Sequence, residues 1–351
     1  MRRLKTTLLI PSGAGAPGFA GILHCIKQAP GIRVIAGDIN NQAYGRQLAD
    51  GFFQTPPGDH PEYPEFILEK AVAHEAGVVL PITTRELDPL SVRVADFAQK
   101  HIRLLVSPPS GLRIANNKAR LYEYMLESGQ KPPVFRVVRT LESMMQAIQE
   151  LAPNGERLIF KPACGNGSVG FGIILGTHEA LRRNVLHEKP GSGYYYRREE
   201  LPHLLPADLG MELLVCEYLP GTEYSVDVLA EHGKVLYAIT RSRDKMVNGI
   251  SVKGTFIRRD DILNMVHKLV DSLGLHGPLG LQFRENERGE MTILEINPRL
   301  QGTVSSCLGA GINVPLDALR LALDEPVAGR QELIQWGVGF VRYWSEAFFN
   351  P

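Results

Sequence analysis

The chain lacks most of the features that would make its role plain from composition. Its four cysteines, Cys25, Cys164, Cys216 and Cys307, are scattered and form no CxxC pair. That spacing speaks against the common zinc and dithiol motifs and for reduced thiols in a cytoplasmic protein. Neither sign of charge is in excess, with 38 Lys+Arg against 38 Asp+Glu. No overall field therefore draws the protein to nucleic acid or to an anionic membrane. No apolar run approaches the ~20 residues that span a bilayer. The opening MRRLKTTLLIPSG has the basic start of a secretory leader, but its apolar run Leu8–Ile10 stops at Pro11. A buried first strand is the expectation. There is no internal repeat, no GKS or GKT closing a phosphate loop, and no obvious nucleophile–base constellation.

What is present is a soluble-protein composition, 44% apolar and 22% charged over 351 residues, with 35 glycines. The length predicts two or three domains. In the first, up to about residue 112, short apolar strands alternate with helical stretches. The strands are Thr6–Ile10, Arg33–Ala36, Val78–Leu80 and Arg103–Val106, and the helical stretches are Ala20–Gln28 and Val92–Lys100. This alternation predicts a parallel sheet covered by helices on both sides. Gly13, Gly15 and Gly18 fit GxGxxG, with Asp38 about twenty residues on, as in a dinucleotide fingerprint. Against that reading, any tight first turn uses glycine, and Pro17 removes one N–H that could meet phosphate.

Further along, Asn116-Asn117-Lys118 opens a helical pattern through Leu126. A lysine at a helix start opposes the dipole, so Lys118 either serves a ligand or is simply exposed. The strand Arg157–Lys161 runs into a glycine-rich loop, Pro162–Gly172, and a new strand Ile173–Leu175. Such a loop can lay backbone N–H groups over phosphates, with Lys161 at its mouth, or it can be a mobile surface hairpin. Segment Leu186–Leu209 carries Tyr194, Tyr195 and Tyr196 beside Arg197 and Arg198 but no assignable function. Glu217 and Glu223 bracket the turn Leu219-Pro220-Gly221, where a base and ribose could sit. The basic stretch from Arg241 to Lys245 reads either as a substrate wall or as a solvated hairpin tip.

The segment Met291–Gly302, MTILEINPRLQG, is the most informative. Along an extended chain Glu295, Asn297 and Arg299 share a face. A carboxylate, an amide oxygen and a guanidinium there suit Mg²⁺ and phosphate oxygens; a polar strand end meeting solvent is the competing reading. A hairpin centred between Arg288 and Gly289 would set Gln282, from the strand Leu279–Phe283, opposite Glu295 as a third metal-facing residue.

As an ordered set, Lys118, Lys161 with its glycine loop, EYLPGTEYSVD, GLQF and LEINPRLQGTVSSCLGAGIN resemble the ATP-grasp superfamily. The likeness is greatest to the branch of carbamoyl-phosphate synthetase large chains and carboxylate–amine ligases. It implies a parallel α/β pre-ATP-grasp domain (1–112) followed by a two-lobed ATP-grasp fold (113–325) with a lid at about 130–212. A C-terminal packing element (326–351), including Trp336, Tyr343 and Trp344, would complete the last lobe. It implies ATP and Mg²⁺ as cofactors, with Mn²⁺ as a substitute. Lys118, Lys161 and the loop residues Gly165, Gly167, Ser168 and Gly170 would meet phosphates. Glu217, Tyr218 and Leu219 would meet adenine, and Glu223 the ribose. Gln282, Glu295 and Asn297 would hold the metal, and Arg299 would steady the transferring phosphoryl group. Arg241 and Arg243 are candidates for the substrate carboxylate or acyl phosphate. The implied reaction joins a small carboxylate to an amine or ammonia through an acyl phosphate. Alternatives are a carbamate- or bicarbonate-phosphorylating enzyme, a nucleotide-binding regulator without turnover, and, weakest, a dehydrogenase. A homodimer is a further expectation. The single unit and the absence of a repeat set the chain apart from a complete carbamoyl-phosphate synthetase.

Overall fold

The computed structural model describes residues 5–165, 169–179, 195–247, 249–327 and 330–349. The chain divides into two compact units. One comprises Met1–Ala115, Glu223–Phe283 and Ile296–Pro351; the other comprises Asn116–Thr222 and Arg284–Glu295.

The first unit begins with five strands, β1 (Thr6–Ile10), β2 (Ile32–Asp38), β3 (Gly51–Gln54), β4 (Val78–Val79) and β5 (Arg103–Leu104). They form a parallel sheet in the order β3-β2-β1-β4-β5. The sheet is apolar on both faces, because alternate residues feed different cores. Leu8, Ile10 and Val34 face one cluster, and Leu9, Ile35 and Val79 face the other. Strand order reverses between β1 and β4, which opens a crevice at their C-terminal ends, the usual ligand position in such sheets. The helical stretch expected over Val92–Lys100 is the short helix Val94–Gln99, and another short helix, Leu87–Ser91, precedes it.

The second unit contains β6 (Phe135–Thr140), β7 (Leu158–Pro162), β8 (Gly172–Ile174), β9 (Tyr195–Tyr196) and β10 (Asp208–Glu217), in the order β6-β10-β7-β8-β9. The helix Leu141–Leu151 covers this sheet. Thr140 caps it, accepting from the Ser143 N–H, and Met144, Ala147 and Ile148 on one face meet Val138, Leu213 and Val215. Residues 166–168 and 180–194 lie outside the described residues; part of the segment expected to be irregular, Tyr195 to Leu204, forms β9 and two short helical turns.

The remaining strands are β11 (Glu223–Glu231), β12 (Lys234–Ser242), β13 (Lys245–Val247), β14 (Ile250–Thr255), β15 (Gly277–Glu285), β16 (Met291–Asn297) and β17 (Gly339–Val341). Their sheet orders are β12-β11-β15-β16 and β13-β14-β17. The boundary between units passes through β15 and β16. In the first unit, the helix Phe19–Lys27 packs on Val304–Ala310 and Val314–Ala322 through Ile22, Ile26, Val304 and Cys307. The approach is close: a Cβ on Gly18 would lie 2.6 Å from the Gly302 Cα, and one on Gly21 would lie 2.4 Å from the Ser305 Oγ. Only glycine allows it.

The C-terminal stretch departs from the expected packing element. Trp336 and Phe340 rest on the core, and β17 pairs with β14. Tyr343 and Trp344, however, are 86% and 93% exposed. Residues 342–349 are neither helix nor strand, and the rings of Tyr343 and Trp344 stand in solvent.

Candidate functional site

In the second unit, three residues far apart in sequence come together. The helix Lys118–Glu127 starts where the Asn117 side chain accepts from the Arg120 N–H. This cap fixes the backbone at Lys118, whose own N–H donates to the Ala163 carbonyl at 2.8 Å, at the end of β7. The Lys118 side chain then reaches the Glu295 carboxylate at 3.2 Å and the Gly165 carbonyl at 2.9 Å. Gly165 has φ +113°, a conformation that favours glycine. Lys118 and Glu295 are mostly enclosed, with side-chain exposures of 12% and 20%. That burial answers the question left open at Lys118: it is not a solvated lysine.

Lys161 is also buried, on β7. Its ammonium donates to the Tyr122 hydroxyl at 2.9 Å and to the Leu294 carbonyl at 3.2 Å. The Tyr122 hydroxyl donates to the same carbonyl at 2.9 Å. Burial pushes the Tyr122 phenol well up, and the nearby negative charges of Glu295 and Glu217 add to that. The phenol stays protonated and positions Lys161. Sequence reasoning missed Tyr122; its place one helical turn after Lys118 was the available signal. Among the loop residues, Gly165 and Gly170 are described, whereas Gly167 and Ser168 lie outside the described residues.

The expected base and ribose residues divide between the units. Glu217, at the end of β10, accepts from the Val134 N–H at 2.9 Å through Oε1. The ring of Tyr218 lies under the Arg157 guanidinium, 4.6 Å from its centroid. The turn after Leu219 is tied down by Gly221 N–H donating to the Glu285 carbonyl and Arg284 Nε donating to the Gly221 carbonyl, both 3.1 Å. Glu223 belongs to the first unit and forms a 2.7 Å ion pair with Arg243.

The tip of the β15–β16 hairpin differs from the assumed geometry. The Asn286 N–H donates to the Glu290 carbonyl at 2.9 Å, and Gly289 has φ +75°. The turn is thus centred on Arg288, a three-residue loop with glycine in the left-handed position. Without a bulge further down, that centre would not set Gln282 opposite Glu295. Gln282 is half-buried on β15.

In the first unit, Arg299 sits just past the end of β16. Its Nη2 donates to Asn297 Oδ1 at 3.0 Å, and its Nε donates to Thr84 Oγ1 at 3.1 Å. Thr84 lies in the loop after β4, so Arg299 reaches the edge of the crevice between β1 and β4. That loop is organised by Glu86, a fully buried carboxylate that accepts from the N–H groups of Ile82 and Thr83 and from the hydroxyls of Ser12 and Tyr63. Burial raises the Glu86 pKa, and the donors hold the rise in check. Asp38 is engaged as well: its Oδ2 accepts from the Gly15 N–H at 2.7 Å and its Oδ1 from the Asn40 N–H at 2.9 Å. A carboxylate that braces the glycine turn in this way is not presented to a ribose, which weighs against the dinucleotide reading of Gly13–Gly18.

Arg241 and Arg243 are not on a solvated tip. Both belong to the β12 end of the fold and are enclosed, with side-chain exposures of 1% and 5%. Arg241 places Nε and Nη2 on Asp227 Oδ2, each at 3.1 Å. Its Nη1 is buried with no hydrogen-bond partner.

The chain carries an ATP-grasp domain: residues 210–340 match the family described as ATP-grasp in the biosynthetic pathway with Ter operon. Residues 15–105 match the PylC-like N-terminal domain. Among curated proteins it is similar to carbamoyl phosphate synthase large chains. That of Methanosarcina acetivorans is 23% identical over 348 residues, covering 92% of this chain and 30% of the relative. That of Methanosarcina mazei is 24% identical over 328 residues, covering 85% and 28%. The chain thus spans less than a third of the length of these relatives. Solved structures show the same fold. N5-carboxyaminoimidazole synthetase from Staphylococcus aureus, complexed with ADP, has a TM-score of 0.67 at 16% identity, covering 93% of this chain and 80% of that one. The biotin carboxylase domain of Hydrogenobacter thermophilus 2-oxoglutarate carboxylase, with MgADP and bicarbonate, has 0.67 at 18%, covering 95% and 73%. L-amino acid ligase from Bacillus licheniformis has 0.66 at 17%, covering 96% and 78%. Among the described residues, no helix is long and apolar enough to cross a membrane.

Proposed function

We propose that the protein is an ATP- and Mg²⁺-dependent ligase that activates a small carboxylic acid as an acyl phosphate and passes it to an amine or ammonia, releasing ADP and phosphate. The observation that carries this reading is the assembly of Lys118, Lys161 and Glu295 in one unit, with the Gly165 carbonyl on Lys118. Lys118 and Lys161 are two enclosed ammonium groups with which the oxygens of a polyphosphate would pair. Gln282, Glu295 and Asn297 each carry a hard oxygen, the ligand type that Mg²⁺ or Mn²⁺ takes. When bound, the ion would screen the phosphate charge; Arg299 would meet the phosphoryl group in flight. Catalysis of this kind is positioning and charge neutralisation, with no covalent protein nucleophile required.

Lys161, the loop Gly165–Gly170, Glu217, Tyr218, Leu219 and Glu223 complete the nucleotide set. Arg243 holds Glu223 from behind, and Arg241 serves the acid. Relatives and neighbours support the class: their names describe carbamoyl phosphate formation, carboxylation and amino acid ligation. A carbamate- or bicarbonate-phosphorylating activity rests on the same residues and is separated from ligation by the choice of acceptor.

The test is Mg²⁺-dependent phosphate release from ATP over a panel of amino acids and small carboxylates. Glu295→Gln keeps the shape and removes the charge. It should lower turnover at least a hundredfold with an unchanged circular dichroism spectrum. Turnover within threefold of wild type in that variant would sink the proposal, as would failure of wild type to bind Mg·ATP by calorimetry.

A further inference from the structure

The loop after β4 is held more firmly than a surface turn requires. Glu86 closes it: its Oε1 accepts from the Ile82 N–H at 2.9 Å and from the Thr83 N–H at 2.7 Å. Its Oε2 accepts from the Ser12 hydroxyl at 3.0 Å and from the Tyr63 hydroxyl. Neighbouring loops press on the segment from two sides. Thr83 Oγ1 lies 2.9 Å from Ser12 Oγ, and a Cβ on Gly13 would lie 2.8 Å from Thr83 Cγ2. A Cβ on Gly58 would lie 3.0 Å from the Glu86 backbone nitrogen. Burying a carboxylate is costly unless donors compensate it. Here that cost goes into fixing one short segment, Ile82 to Glu86.

Within that segment Thr84 faces Arg299: its Oγ1 accepts from Arg299 Nε at 3.1 Å. Arg299 has other partners, but they belong to its own stretch of chain. Its N–H donates to the Asn297 carbonyl at 2.7 Å across Pro298. Its Nη1 donates to the Leu300 carbonyl at 2.9 Å and its Nη2 to Asn297 Oδ1 at 3.0 Å. Partners one and two residues away move with the turn that carries Arg299. Thr84 is 215 residues away in sequence, on a loop that Glu86 has already fixed. It ties the guanidinium to the parallel sheet. Nε carries a single N–H, which lies in the guanidinium plane, so aiming it at Thr84 sets the orientation of that plane. The hydroxyl is neutral, and it therefore orients the guanidinium without cancelling its charge.

We infer that Thr84 is a positioning residue for phosphoryl transfer: carried on the loop that Glu86 orders, its hydroxyl fixes the Arg299 guanidinium in place before the phosphoryl group moves. A long arginine side chain left to itself samples many rotamers. Donors stabilise a transition state best when they need no reorganisation as charge develops, and a misplacement of about 1 Å can cost ~100-fold in rate. The parallel-sheet part of the first unit thereby serves the chemical step and not only the binding of the acid. This inference rests on the ligase reading and adds a residue to its machinery.

The experiment is steady-state phosphate release from Mg·ATP, with whichever acid of the amino acid and carboxylate panel stimulates wild type most. Thr84→Val keeps the shape and removes the hydroxyl. It should lower kcat at least tenfold, with the KM values for ATP and for the acid within twofold of wild type and the urea midpoint unchanged. Thr84→Ser restores a hydroxyl and should return kcat to within threefold of wild type. Arg299→Lys removes the Nε donor, so adding Thr84→Val to it should lower kcat less than twofold further. A smaller loss in Thr84→Val, a urea midpoint that falls with kcat, or an additive loss in the double variant overturns the inference. So does a raised KM for the acid at unchanged kcat, which would make Thr84 a substrate contact instead. If wild type turns over and the Thr84 variants miss these marks, only the positioning role is wrong. If wild type releases no phosphate over the whole panel, the ligase reading itself has failed and the inference falls with it.

Discussion

Replacement of Asp227 by alanine should strip the first unit of its central buried charge pair. Asp227 is 1% exposed, and its Oδ2 takes both Nε and Nη2 of Arg241. Its Oδ1 accepts from Gln301 Nε2 at 3.2 Å, while Gln301 also donates to the Val226 carbonyl at 2.9 Å. With the carboxylate gone, Gln301 keeps one partner, but Arg241, itself 1% exposed, keeps a full charge with no counter-ion. Breaking a buried pair from one side costs roughly 3–5 kcal/mol, most of it the penalty of the stranded ion. That is a large fraction of the ~5–15 kcal/mol available to a folded domain. Urea unfolding followed by tryptophan fluorescence is the assay. The chain has two tryptophans; Trp336 rests on the first unit's core, and Trp344, at 93% exposure, gives a nearly constant background. Asp227→Ala should lower the midpoint by the equivalent of about 4 kcal/mol. The double variant Asp227→Leu with Arg241→Met should regain most of it, because neither ion then remains to be desolvated. A single variant within about 1 kcal/mol of wild type, or a double variant as unstable as the single, would refute the view that the stranded guanidinium sets the cost.

Two further outcomes follow from side chains beside the site and away from it. Tyr122→Phe keeps the edge contact with Phe135, at 5.2 Å between ring centroids, and removes the hydroxyl that links Lys161 to the Leu294 carbonyl. Stability should fall by only about 1 kcal/mol. Mg·ATP-dependent phosphate release should drop about tenfold, since a tenfold loss corresponds to ~1.4 kcal/mol of lost positioning; an unchanged rate would remove Tyr122 from the site. His276 stacks on His232 with ring centroids 4.2 Å apart, and its Nδ1 accepts from the His232 N–H. Burial, with the His232 charge, lowers the His276 pKa from 6.5 to about 4. Below pH 6.5 the unfolded chain binds the proton more readily than the folded one. Stability is therefore fully present above that pH and is lost as pH falls towards about 4, by at most ~3 kcal/mol. His276→Asn should flatten the urea midpoint between pH 4.5 and 7, and an identical slope in the variant would show that other groups control the acid limb.

Much of the fold was legible because the signals are local. Apolar runs of strand length between helical stretches specify a parallel sheet, and the observed order β3-β2-β1-β4-β5 is one of the standard ways to arrange it. Asn117 as a cap, the break after Lys161 and the proline stop after Asn297 are likewise matters of one residue and its neighbours. The exact centre of the β15–β16 turn was less legible. It depends on whether Gly289 adopts a left-handed conformation; centring the turn on Arg288 moves each cross-strand partner near the tip by one residue.

By itself the sequence determined which residue types stand at the strand ends and turns and in what order, because the chain specifies those places locally. Only the tertiary structure decided what each charge faces. It joined Lys118 to Glu295 and set Tyr122 under Lys161. It turned Asp38 inward to brace a turn and buried Arg241 against Asp227 with one donor left over. The physical reason is that a charge's role depends on its counter-ion and its burial, and residues distant in the chain supply both.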